Sequence, residues 1–108
     1  MEKSIRREID NILKETTQFD FPFFANEEKK RIILLKKKSY IEEKFRAVAP
    51  ESLPSEEKMR KIWEQSVEFA DEQFKSLPIN KRFNGFYLQE LMHCYAEKLK
   101  DSIIDKED

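Results

Sequence analysis

The helical spacing of apolar residues is the feature that most limits the fold of this 108-residue chain. Ile5, Ile9, Ile12 and Leu13 follow the i, i+3/i+4, i+7 pattern of one helix face, and three later segments repeat it. Prolines stand between several of these segments, and proline ends helices because its ring fixes φ and its nitrogen carries no hydrogen. Charges of both signs at helical spacing, with one glycine and four prolines, indicate an all-α protein.

The pattern predicts four helices, at approximately residues 2–17, 26–48, 55–77 and 82–104. Asn26 is a favourable N-cap for the second helix, as is Ser55 or Ser52 for the third, and acidic residues lie at the positive end of each of these helices. Linkers of about four to nine residues favour antiparallel neighbours. We therefore predict a single-domain antiparallel bundle of four helices, with a first helix crossing a three-helix core as the alternative.

Each predicted helix carries an apolar face that we expect to form the core. The third helix has the clearest one, with Trp63 at its centre as the expected anchor: Met59, Ile62, Trp63, Ser66, Val67, Ala70, Phe74 and Leu77. The fourth helix is expected to bury Tyr87, Leu88, Leu91, Tyr95, Leu99 and Ser102.

The composition argues against a disordered chain and against a membrane-spanning one. Charged residues make up 40% of the chain, but 21 basic and 22 acidic residues nearly cancel. The nine phenylalanines argue against disorder, which requires few aromatic residues. No apolar run approaches the roughly 18 residues of a membrane span. The first residues lack the apolar segment of a signal peptide, and Cys94 is the single cysteine, so we expect a cytoplasmic protein.

Three lysines form a basic stripe on the predicted second helix. Lys30, Lys37 and Lys44 lie seven residues apart and share one azimuth, which we call the lysine stripe. Apolar residues border the stripe on both sides, with Tyr40 on one flank and Ile41 on the other. Lysine is rarely buried without a partner, so the stripe either faces a binding partner or marks the gap between two buried faces.

The distribution of charge along the chain is compatible with three possible partners of the lysine stripe. Residues 27–48 carry a net charge of +4 and residues 49–77 carry −3. The second helix is expected to lie against the acidic third helix, to bind an acidic protein, or to neutralise phosphates of a nucleic acid or anionic membrane. The nucleic-acid explanation is the weaker one, because no zinc-finger or RNA-binding signature accompanies the lysines.

The second helix is also apolar on its far side, at Ile32 and Leu35. A helix that is hydrophobic nearly all round is either central in its domain or buried in an oligomer. The other three helices of so small a domain cannot easily surround it. Association of two copies through the second helix is therefore a further hypothesis.

Four of the nine phenylalanines lie in residues 19–24. An exposed cluster of this density would be an interaction surface, because aromatic side chains anchor protein interfaces. The alternative is a plug that folds over the open end of the bundle. Phe21 and Phe23 are the candidates that distinguish the two interpretations.

The residues provide little support for catalysis. Glu90 and His93 have the Glu-x-x-His spacing of di-iron bundles, but such sites need two of these motifs and further glutamates. His93 is predicted to face solvent, opposite the apolar face of its helix. Cys94 has no base to activate it and is expected to be a packed thiol. We expect no catalytic, cofactor or metal site.

These observations predict a non-enzymatic protein that acts by binding another protein, as regulators, inhibitors, immunity proteins and chaperones do. The expected contact residues are Lys30, Lys37, Lys44, Tyr40, Phe21 and Phe23. The alternative is a nucleic-acid-binding regulator that uses the lysine-rich second helix.

Overall fold

The computed structural model of the chain describes residues 3–18, 21 and 26–107. The helices are α1 (Lys3–Thr16), α2 (Glu27–Val48), α3 (Glu56–Gln73), the single turn α4 (Ile79–Arg82) and α5 (Gly85–Glu107). Since these residues contain no strand, the predicted all-α bundle of four long helices is confirmed. No helix among them combines the length and hydropathy required to cross a membrane.

Side-chain caps explain where the helices begin. The Asn26 side chain accepts a hydrogen bond of 2.8 Å from the backbone N–H of Lys29, and Ser55 accepts one from Lys58. At α5 the cap is Asn84, whose Oδ1 lies 3.0 Å from the backbone nitrogen of Tyr87. These bonds satisfy amides that have no partner within the helix. Because Asn84 is the cap, α5 begins three residues later than predicted.

Helix α3 ends at Gln73, four residues before the predicted end. Pro78 disfavours helical geometry at the preceding residue, and the backbone between them forms turns. Leu77, which we expected in the core, is therefore exposed.

Helix α5 is the central element of the bundle, because α1, α2 and α3 all pack against it. The expected core residues of this helix are buried with the exception of Ser102, which is only partly buried. Three further residues widen the buried face: Met92, Ala96 and Ile103. The buried face is wide because it serves three neighbours rather than one. The second helix has apolar residues on two sides, as expected, but it is not the central helix of the bundle.

Contacts between side chains establish the directions of the helices. Asp71 and Trp63 of α3 contact Tyr87 and Tyr95 of α5 respectively, so these two helices are antiparallel. Helix α1 is also antiparallel to α5, as shown by the contacts Asp10–Lys100 and Thr16–His93. Helix α2 runs parallel to α5, as shown by the contacts Lys30–Phe83 and Glu42–Tyr95.

Helix α2 packs closely against α1 and α5 and is held apart from α3. It buries Leu34, Ile41 and Phe45. Ile32 and Leu35, on the other side of the helix, are 49% and 55% exposed. The separation of two helices that are consecutive in the sequence leaves a groove between them.

The carboxyl end of α1 is held by side chains of α5. The Gln89 amide donates hydrogen bonds to the carbonyl oxygens of Thr16, at 3.3 Å, and Thr17, at 2.6 Å. The Thr16 hydroxyl donates to the carbonyl of Leu13. The last carbonyls of a helix have no partner within it, so Gln89 acts as a cap supplied by a neighbouring helix.

We predict that Gln89→Ala lowers the free energy of unfolding by about 1–2 kcal/mol, because it leaves carbonyls at the end of α1 without their donor. Urea unfolding followed by circular dichroism measures this difference. Gln65→Ala, at an exposed position of α3, is the matched control. Equal stability of the two variants would contradict a capping role for Gln89.

Candidate functional site

A groove between α2 and α3, which we call the α2–α3 groove, is the candidate functional site. Its larger part has a volume of about 500 Å³ and lies over α5. The walls and floor are mainly apolar: Leu34, Leu35, Trp63, Val67, Ile79, Phe83, Tyr87 and Leu91. Four charged residues also line it: Glu27, Arg31, Asp71 and Arg82. This combination of apolar floor and charged rim is typical of sites that bind an apolar side chain or helix.

The groove continues toward the other end of α2 as a smaller hollow of about 330 Å³. Its lining is more polar: Lys38, Glu42, Arg46, Glu56, Met59, Arg60 and Trp63. Trp63 belongs to both parts. The two parts together follow α2 from Glu27 to Arg46, which is most of the length of that helix.

Lys38 connects the two walls where the parts of the groove meet. Its Nζ lies 2.9 Å from Glu42 Oε2 and 5.3 Å from the centre of the Trp63 ring. Glu42 also accepts a hydrogen bond from the hydroxyl of Tyr95, and the Trp63 and Tyr95 rings meet edge to face at 5.0 Å. The cluster joins α2, α3 and α5 by ionic, cation–π and aromatic contacts. It bridges α2 and α3 at the point where the two parts of the groove meet.

Two tyrosines below the groove have perturbed ionisation. Burial raises the pKa of Tyr95, and the hydrogen bond to the Glu42 carboxylate raises it further. Burial likewise raises the pKa of Tyr87, as does its 2.7 Å hydrogen bond to Asp71. Both phenols therefore stay neutral and donate to carboxylates. Their hydrogen bonds link α5 to α3 and α2, and the phenols do not act as acids or bases.

Trp63 was predicted to be the central residue of the core, but the structure places it at the edge of the core. Its side chain is only partly buried and lines the groove. The buried residues of α3 are Met59, Ile62, Ser66 and Ala70, whose spacing places Trp63 at the edge of the buried face. That edge faces the groove, where the ring contacts Tyr95 of α5 and the Lys38 ammonium of α2.

The lysine stripe faces α1 rather than α3. Lys37 is half-buried in a shallow hollow that Glu15 of α1 also lines, and Tyr40 donates a hydrogen bond of 2.8 Å to Glu15. Lys44 places its Nζ 5.3 Å from the centre of the Tyr40 ring. Lys30 donates to the backbone carbonyl of Phe83 at 3.0 Å. Lys30 and Tyr40 therefore have structural partners, and the stripe does not border the α2–α3 groove.

The hypothesis that α2 places its charges against the acidic third helix finds no support in the ion pairs of α2. Three basic residues of the groove side pair with glutamates of α2 itself: Arg31 with Glu27, Lys38 with Glu42, and Arg46 with Glu43. The opposite net charges of α2 and α3 thus remain separated by the groove.

The phenylalanine-rich segment contributes one described side chain. Phe21 is 6% exposed and belongs to the core cluster, and its backbone oxygen lies near Gly85 at the start of α5. This burial agrees with the plug interpretation, so Phe21 is not available as an exposed contact residue. Phe23 lies outside the described residues.

His93 lies between α1 and α5, and the predicted solvent-facing position is only partly right, since 33% of its side chain is exposed. Its Nδ1 is 3.1 Å from Thr16 Oγ1, and its Nε2 is 3.1 Å from Glu97 Oε1. Helix α1 covers this side of α5, which the periodicity of α5 alone does not reveal. Within the described part of the chain no group of three or more His, Cys, Asp or Glu side chains is placed to hold a metal ion.

Cys94 is partly buried beside the core. Burial raises the pKa of its thiol, and this effect outweighs the opposite effect of a hydrogen bond with Ser66. A protonated thiol is a poor nucleophile. The geometry agrees with a packed thiol.

Because both tyrosines have a raised pKa in the folded state, the folded chain retains protons that the unfolded chain loses above about pH 10. We therefore predict that the free energy of unfolding falls as the pH rises above 10. The double variant Tyr87→Phe/Tyr95→Phe should show a smaller fall. Urea unfolding at pH 8, where the phenols are neutral in both states, provides the reference for each protein. Equal slopes above pH 10 would contradict the assignment.

A comparison of this chain with protein-family models, curated proteins and solved structures finds no match. The side chains of the α2–α3 groove are therefore the basis for assigning a function.

Proposed function

We propose that this chain is a non-enzymatic protein that acts by binding another protein, and that the α2–α3 groove is its contact surface. Regulators, inhibitors, immunity proteins and chaperones act in this way. The observation that carries the proposal is the exposed Leu35 beside an apolar groove. The single Cys94, free and partly buried, fits a reducing interior such as the cytoplasm.

Several apolar side chains around the groove are exposed. Leu35 is 55% exposed on the α2 wall, and Ile79 of α4 is 83% exposed at the end of the groove. Ile32 extends this apolar surface along α2. Contiguous exposed apolar side chains next to a concave surface characterise interaction sites, whereas scattered ones do not. The elongated shape suits an amphipathic helix that places its apolar face in the groove.

Burial of apolar side chains is expected to contribute more to the binding free energy than the exposed ion pairs of the groove. Complete burial of a leucine or isoleucine side chain contributes about 1.5–3 kcal/mol, so Leu35 and Ile79 retain roughly half or more of that free energy for a partner. An exposed ion pair contributes about 0–1 kcal/mol. Charged residues on the rim, such as Arg31, therefore act mainly on orientation and association rate.

This proposal moves the contact surface from the lysine stripe to the opposite side of α2. Lys30 and Tyr40 already bind Phe83 and Glu15 within the fold. Phe21 is buried. Leu35 and Ile32 were recognised in the sequence as an apolar far side of the second helix, and they replace the stripe as the principal contact residues.

Binding of nucleic acid by α2 is the less favoured alternative. Arg31, Lys38 and Arg46 each pair with a glutamate, which lowers the positive potential available to phosphates. Binding through several phosphates weakens steeply between about 50 and 200 mM salt. Binding through the groove should weaken far less, because apolar contacts do not depend on counterion release.

We predict that Leu35→Asp abolishes capture of a partner, because the substitution places a charge on the apolar wall of the groove. The tagged protein is incubated with extract of its native host in 200 mM salt, and retained proteins are identified by mass spectrometry. A partner retained by the wild type should be lost with Leu35→Asp.

Ala47→Asp is the matched control, since Ala47 is exposed on the same helix but on the side away from the groove. It should retain the partner at the wild-type level. Equal retention by Leu35→Asp and Ala47→Asp would rule out the groove as the contact surface. Retention that nuclease treatment removes would favour the nucleic-acid alternative.

A further inference from the structure

We propose that the occupant of the α2–α3 groove is α2 from a second copy of this chain, in a two-fold symmetric dimer. The inference rests on the proposed function, because it names the partner of the same groove. Each copy supplies one helix and one groove. A two-fold interface requires such self-complementarity, since the same patch of both subunits takes part.

The exposed apolar face of α2 adjoins the groove. Ile32, Leu35 and Ser39 lie at i, i+3 and i+7 and are all exposed, so they share one side of the helix. Leu35 also belongs to the wall of the groove. A helix face and the cavity that would receive it thus adjoin one another, and a two-fold rotation can bring each face over the partner's groove.

The charges of α2 and α3 also favour a second copy. Helix α2 contains eight basic and four acidic residues, a net +4, whereas α3 contains three basic and six acidic residues, a net −3. Within one copy the groove separates these helices. In the dimer, the exposed Lys29 and Lys36, which lie one turn from Ile32 on α2 of one copy, approach the acidic α3 of the other. The net charge of −1 per chain opposes association only weakly.

The length of the groove also suits a second α2. At 1.5 Å per residue, the 22 residues of α2 extend for about 33 Å. The groove follows α2 from Glu27 to Arg46, so its length matches the helix that would occupy it. A stable interface buries about 800 Å² on each partner. That is roughly a ninth of the 7196 Å² accessible surface of the chain.

Sedimentation velocity between about 1 μM and 1 mM tests the association directly. The expected result is a concentration-dependent shift from 13.1 kDa to twice that mass. Leu35→Glu should remain monomeric over the range, whereas Ala47→Glu should dimerise as the wild type does. Circular dichroism verifies that both variants fold. A wild type that stays at 13.1 kDa at the highest concentration would overturn the inference.

Disulfide cross-linking tests the arrangement of the helices. Ser39 lies near the midpoint of α2, so in an antiparallel α2–α2 pair it approaches its own counterpart. In a Cys94→Ser background, Ser39→Cys should form a disulfide-linked dimer under mild oxidation. Ala47→Cys should form far less. A dimer by sedimentation in which both cysteines cross-link equally, or in which Leu35→Glu still dimerises, would place the interface elsewhere and refute the inference.

The same variants separate this inference from the proposed function. A monomeric wild type that captures another protein through Leu35 contradicts the dimer and leaves the proposed function intact. A dimer that depends on Leu35, with no other protein captured, supports the inference and limits the proposed function to self-association. Loss of both results removes the groove as a binding surface.

Discussion

The packing of three helices against α5 is the constraint on which the rest of the structure depends. Eight side chains of this helix are buried, from Tyr87 to Ile103, and they form more of the core than those of any other helix. Helices α1 and α3 are antiparallel to α5 and are tied to it by Gln89 and by Tyr87 respectively. Helix α2 shares the same surface. Since each neighbour depends on α5, the positions of the other helices follow from how they divide its surface.

The groove is a consequence of this division. Helix α2 packs against α1 and α5, whereas α3 packs mainly against α5, where the Trp63 ring meets the Tyr95 ring. Lys38 spans the remaining gap without closing it. Three basic residues on the groove side of α2 are paired with glutamates of the same helix, so the apolar Leu35 becomes the more informative residue for binding. Side chains of several helices therefore form the groove together, and no single helix determines it.

Helical periodicity and capping residues were sufficient to predict the four long helices, and Asn26 and Ser55 proved to be caps. Periodicity gives the direction of each side chain around its own helix, but it does not say which neighbour covers that direction. For this reason periodicity places His93 in solvent although α1 partly covers it, and Trp63 in the core although it lines the groove. The orientation of the lysine stripe was unpredictable for the same reason. These outcomes depend on contacts between residues far apart in the sequence.

Trp63 gives the molecule an optical reporter of its own. It is the only tryptophan of the chain, and its ring lies in the groove beside the Lys38 ammonium and the Tyr95 ring. Indole emission responds to the polarity and charge around the ring, so displacement of water from the groove should change its wavelength and intensity. Occupancy of the groove can therefore be followed by fluorescence in the unlabelled protein. Unfolding will change the same signal, because it separates α3 from α5.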